Sequence, residues 1–141
     1  MHAPEPVDPD VDLGVPAQRR ELRAHPVAVL AAIAVGAVAG AETRYAVGLL
    51  AGTGFPWATL AINVTGCLLI GVLMTRVGGM HPLARPLLGV GALGGYTTFS
   101  GYAVDAQRLL ATGHPATAVA ALVATPLLAL PAVRLGARLA R

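Results

Sequence analysis

The sequence predicts an all-α membrane protein with four transmembrane helices, the third broken near its centre. Three observations predict it. Of 141 residues, 55% are hydrophobic and 12% charged, about half the charge of a soluble domain. The mean hydropathy is +0.67. Between residues 27 and 133 the charges fall into a few short clusters, separated by uncharged runs at 27–41, 45–75, 86–104 and 109–133. Each boundary between the expected spans carries glycine followed by proline, the pairing that ends one helix and opens the next.

A helix rises about 1.5 Å per residue, so about 20 apolar residues cross a hydrocarbon core of about 30 Å. The first span is expected near 27–49 and ends beyond Glu42 and Arg44. Gly52-Thr53-Gly54-Phe55-Pro56 then turns the chain into a second span near 56–77. Gly78-Gly79-Met80-His81-Pro82 leads to a third near 83–108, and Thr112-Gly113-His114-Pro115 to a fourth near 115–137. Lipid offers no partner to backbone groups, so such spans must be helices or a closed barrel. The runs lack the alternation of barrel strands. The domain division is therefore 1–25, a disordered acidic and proline-rich tail with a basic patch at Arg19, Arg20 and Arg23, and 26–141, the membrane domain. The acidic, proline-rich start does not read as a secretory signal.

All ten basic residues are arginine. With four spans, both termini and the loop between spans two and three share one side, which holds eight arginines against two, Arg44 and Arg108, on the other. That bias predicts cytoplasmic termini and a multi-pass protein of the cell membrane. No basic face tracks nucleic acid. The single Cys67 and four scattered histidines suggest neither a disulfide nor a zinc site. No nucleophile–base pair has a recognisable spacing, so an enzyme is the least expected class.

Function should reside in polar or helix-breaking residues inside the spans, where their burial is costly. Asn63 carries two N–H donors and an acceptor, and suits either a helix–helix hydrogen bond or an anion path. Gly89, Gly91 and Gly94 match G-x-G-x-x-G, but no strand precedes them and no βαβ unit surrounds them, which excludes a dinucleotide site. A broken helix explains the segment better. Gly94 and Gly95, followed by Tyr96, Thr97 and Thr98, weaken the helix at mid-span, and unwound backbone at that depth must be buried in protein or line a cavity. The freed carbonyls suit a cation; tight packing at a kink is the alternative. Phe99 follows, with Ser100 and Tyr102, and an aromatic ring offers a positive edge to an anion. Arg44 can reach the headgroups, pair with Glu42, or concentrate anions at a pore mouth. Gly36 and Gly40 form a G-x-x-x-G, which permits close helix approach. Thr125, just before Pro126, either bonds its own helix or lines a path.

Taken together, these pieces resemble the Fluc/CrcB family of fluoride channels over about 27–141. Gly40-Ala41-Glu42-Thr43-Arg44-Tyr45 is similar to the family's G-A-x-x-R-Y. Thr59-Leu60-x-x-Asn63-x-x-Gly66 is similar to T-L-x-x-N-x-x-G, and Gly94-Gly95-Tyr96-Thr97-Thr98-Phe99-Ser100 to G-G-x-T-T-F-S. The resemblance implies an antiparallel, dual-topology homodimer in membrane lipid, with two fluoride pores. It implies a structural, non-transported Na⁺ at the dimer centre, held by backbone carbonyls of Gly94 and Thr97. It places Asn63 and Phe99 on the fluoride pathway, with Thr98, Ser100, Tyr102, Thr125 and Arg44 as further candidates. Tyr102 stands where the family motif usually has a second phenylalanine. Because of the arginine bias, pairing with an oppositely oriented paralogue is the alternative to a homodimer. A small proton-coupled drug exporter is a different class of reading; it needs a membrane-embedded carboxylate, for which Glu42 is the candidate. A non-transporting membrane subunit, using its glycine-rich faces only for assembly, is a third.

Overall fold

A computed structural model describes residues 25–50, 52 and 54–141. The acidic tail expected at 1–25 therefore lies outside the described residues except for His25. The described chain is helical. Helix α1 spans Pro26–Gly48 and α2 spans Trp57–Arg76, extended by a 3₁₀ turn at Val77–Gly79. A π-helical segment, Arg85–Leu93, runs into an α-helical turn, Gly94–Tyr96; together these form α3. Helix α4 spans Phe99–Ala111 and α5 spans Pro115–Leu139. Pro26, Pro86 and Pro115 each sit in a first helical turn, where a missing N–H costs nothing. Helix α4 ends in a Schellman cap: Gly113 has φ +78°, its N–H donates to Leu110 O, and His114 N–H donates to Leu109 O at 2.8 Å.

Among the described residues, three helices are long and apolar enough to cross a membrane: Pro26–Gly48, Trp57–Gly79 and Pro115–Leu139. The third expected span, 83–108, is instead two pieces, α3 and α4. The break falls at Thr97 and Thr98, whose ψ angles of 158° and 124° are extended. The glycine pair Gly94–Gly95, expected to weaken the helix, remains helical.

Those glycines serve packing. The closest helix pairs are α1 with α3 and α2 with α5, and α4 lies against α5. A Cβ on Gly36 would stand 2.1 Å from Leu87 O, one on Gly40 2.0 Å from Ala92 O, and one on Gly95 2.4 Å from Ala37 O. Helices α1 and α3 thus meet backbone to backbone. The hydrogen bonds of a π-helix reach five residues back rather than four, so its wider turn keeps Gly91 and Gly95 in line against α1. The α2–α5 contact repeats the device, with Gly136 against Leu68 O and Gly71 against Val133 O.

Burial is inverted relative to a water-soluble protein. Interior positions are mostly small, including Ala106, Ala118, Ala121 and Ala132, while Leu30, Val35, Val38, Leu127 and Leu130 face outward. Between helices in lipid the driving force is close packing rather than escape from water, which favours small residues inside and large apolar ones outside.

Candidate functional site at the helix break

The break brings α1, α2 and α4 to one place. Thr98 is the N-cap of α4, and its Oγ1 accepts from Gly101 N–H at 2.9 Å. From α2, Asn63 grips the same residue twice: its Nδ2 donates to Thr98 O at 3.0 Å, and its Oδ1 accepts from Thr98 N–H at 2.9 Å. Asn63 is therefore a helix–helix clamp, and it keeps a second amide N–H that makes no hydrogen bond among the described residues. The small face of Gly66, one turn on, admits the Thr97 methyl, which a Cβ there would meet at 2.2 Å.

Two carbonyls lose their helical donors as a result. In an α-helix the N–H of residue i donates to the carbonyl of residue i−4. Thr98 N–H would continue the helix to Gly94 O, but goes to Asn63. Gly101 N–H would reach Thr97 O, but goes to the Thr98 hydroxyl. Arg44 Nη1 approaches Thr97 O at 3.4 Å, at the outer limit of hydrogen bonding. Arg44 thus points toward the break and makes no ion pair with Glu42 among the described residues.

The remaining expected residues divide by what their hydroxyls do. Thr97 Oγ1 donates to Leu93 O at 3.0 Å. Thr125, buried, donates to Ala121 O at 3.0 Å within its own helix. Tyr102 donates to Leu122 O of α5 at 2.6 Å. The hydroxyl protons of Tyr102 and Thr125 are thus committed to carbonyls and are not offered to an anion. Thr98 Oγ1 and Ser100 Oγ lie 3.3 Å apart, so at most one of the two protons is used between them. Phe99 is 82% exposed on the single chain. Its ring centroid is 5.7 Å from that of Tyr102, with the planes at 47°.

Sequence reasoning passed over Asp105. It accepts from the Thr59 hydroxyl at 2.5 Å. Together with Phe55, Pro56, Arg108 and His114, these two residues line a cleft of about 700 Å³ at the end holding the α1–α2 and α4–α5 loops. Asp105 is a second carboxylate within the expected spans, besides Glu42. The rarity of a carboxylate inside a span was the signal that could have found it; its partner, 46 residues away, was not legible.

With this geometry in hand, comparison with known proteins is specific. Residues 31–137 match a protein-family model described as CrcB-like protein, Camphor Resistance (CrcB). The chain is 50% identical to the Fluoride-specific ion channel FluC 2 of Streptomyces avermitilis, across 86% of this chain and 82% of that protein. It is 50% identical to the Fluoride-specific ion channel FluC 1 of Streptomyces coelicolor, across 80% and 77%. With the Fluoride-specific ion channel FluC of Paracoccus denitrificans the identity is 40%, across 77% and 91%.

Proposed function

The chain belongs to the CrcB family, and on that premise we propose that it is a fluoride channel, a passive pore through which cytoplasmic fluoride leaves the cell and fluoride toxicity falls. It is a multi-pass membrane protein, and in bacteria that membrane is the plasma membrane. Hydrogen fluoride enters at acidic pH and ionises inside; the channel lets the trapped anion out.

The observation that carries the proposal is the break at Thr97–Thr98 and its clamp. Fluoride is small and holds its water tightly, so a pore must replace that water with donors yet release the ion. Helix α4 begins at the break, and a helix N-terminus carries about half a positive charge, with first-turn N–H groups lacking intrahelical partners. Around it stand the second N–H of Asn63, the hydroxyls of Thr98 and Ser100, and the ring edges of Phe99 and Tyr102. Arg44, whose Nη1 lies 3.4 Å from Thr97 O, supplies positive potential at the break. Thr125 contributes through its helix rather than as a donor.

The C-terminal end of α3 has the opposite polarity. The carbonyls of Gly94 and Thr97 are those deprived of helical donors, and Gly94 is exposed on the single chain. They fit a Na⁺ held between two copies of the chain, whose charge would neutralise converging carbonyl dipoles and lock the dimer without being transported. An antiparallel homodimer also accounts for the exposure of Phe99: a partner subunit would cover the ring and complete each pore. The arginine bias, eight against two, favours a second reading, in which this chain inserts mainly one way and pairs with an oppositely oriented paralogue.

The deciding experiment is fluoride efflux from liposomes containing only the purified chain, with Na⁺ present and chloride as control. Rapid fluoride-selective efflux is expected. No efflux from folded, inserted protein, alone or with a candidate paralogue, would overturn the channel reading.

A further inference from the structure

Helix α5 contains two prolines, Pro126 and Pro131. A proline has no N–H, so each leaves the carbonyl four residues earlier without its helical donor. For Pro126 that carbonyl is Leu122 O, half-buried between α4 and α5. The Tyr102 hydroxyl donates to this atom, at 2.6 Å. For Pro131 the carbonyl is Leu127 O, which has no side-chain donor among the described residues and belongs to a residue 64% exposed. The tyrosine is therefore matched to one proline and not to prolines in general.

We infer that Tyr102 is a positioning residue: its hydroxyl replaces the backbone donor that Pro126 removes, and that bond pins the start of α4 to α5 and holds the Tyr102 ring beside Phe99. In lipid, a carbonyl freed by proline is better tolerated where a neighbouring helix supplies a donor. Here the neighbour is one turn from the helix break, so the repair of α5 also sets the orientation of the aromatic pair. A phenylalanine at 102 would keep the ring but leave Leu122 O without a donor. The ring's place on the fluoride path rests on the channel reading; the hydrogen bond does not.

The test compares Tyr102→Phe in the natural sequence and in a Pro126→Ala background, where the new backbone N–H can serve Leu122 O. In the natural sequence, Tyr102→Phe should lower the thermal midpoint of the purified protein by a few degrees and slow fluoride efflux several-fold. Adding Pro126→Ala should restore the midpoint and recover most of the efflux. If Tyr102 only fills space, its loss is equal in both backgrounds, and the proposal falls. Tyrosine ring ¹³Cζ NMR decides independently of folding of the phenylalanine variant. The chain has three tyrosines, and the Tyr102 resonance should move in Pro126→Ala, because its acceptor is then shared with a backbone donor. An unmoved resonance would also overturn the assignment. Should the natural protein carry no fluoride, the channel reading fails, while the thermal and NMR results still decide the role of Tyr102.

Discussion

Replacing Gly40 with alanine tests the backbone-to-backbone seam of α1 and α3. The added Cβ would lie 2.0 Å from Ala92 O and 2.8 Å from Tyr96 N, whereas ordinary contact begins at 3.4 Å. The two helices must therefore part by more than about 1 Å at this point, because a backbone carbonyl cannot rotate aside as a side chain can. Overpacking typically costs about 1–3 kcal/mol, and the rigidity of the obstacle puts this case at the upper end. Alanine recovers about 1 kcal/mol through its better helix propensity. The net loss is about 2 kcal/mol, a factor of roughly 30 in the folded-to-unfolded ratio. Gly48 in the same helix is the control, since a Cβ there meets nothing within 4 Å. Gly48→Ala should leave stability unchanged or slightly raised. Thermal unfolding in lipid nanodiscs would report both, and fluoride efflux should fall in Gly40→Ala as Arg44, one turn on, loses its approach to Thr97. Equal stability of the two variants would refute the seam.

Three further outcomes are expected. Asn63→Asp replaces the donor to Thr98 O with a carboxylate oxygen; it should cost about 1–2 kcal/mol, in the upper range for membrane hydrogen bonds, and reduce fluoride efflux at least about tenfold, and wild-type flux would remove Asn63 from the pathway. Phe99→Ile, at an 82% exposed position, should change the stability of the single chain by less than about 0.5 kcal/mol while slowing efflux in liposomes; unchanged flux would take Phe99 off the path. Asp105→Asn keeps a partner for Thr59 but removes a negative charge from the loop-end cleft that Arg108 also lines. It should raise efflux at low ionic strength and converge on the natural rate as salt screens the charge; identical salt profiles would exclude that cleft as a fluoride mouth.

The three long spans were legible because charge is so costly in lipid that uncharged stretches mark them. The break was legible as a region, through Gly94 to Thr98, but its position was not. Glycine weakens a helix in isolation, whereas here Gly91 and Gly95 are held helical by contact with α1, and the unwinding falls on the two threonines that Asn63 and a local cap can satisfy. The G-x-x-x-G of Gly36 and Gly40 was visible as a motif, though nothing in the sequence pairs it with α3. Asn63 announced itself as a polar residue in a span. That it uses both ends of its amide on one residue depends on the register of α2 against α4, as does the Thr59–Asp105 bond, while the Tyr102–Leu122 bond depends on that of α4 against α5. Each joins residues 20 to 46 positions apart, and pattern within one helix carries no record of such pairings.

The clamp at Thr98 also bears on how the protein enters the membrane. Among the described residues, the segment from Arg85 to Ala111 is not a single long apolar helix, and its peptide groups at Thr97 and Thr98 would be poorly tolerated in bare lipid. The groups that make it tolerable, the glycine faces of α1 and the Asn63 amide of α2, both lie earlier in the chain. During synthesis they emerge from the ribosome first. The broken segment therefore follows the helices whose groups satisfy it, and the order of the elements along the chain is also a workable order of insertion.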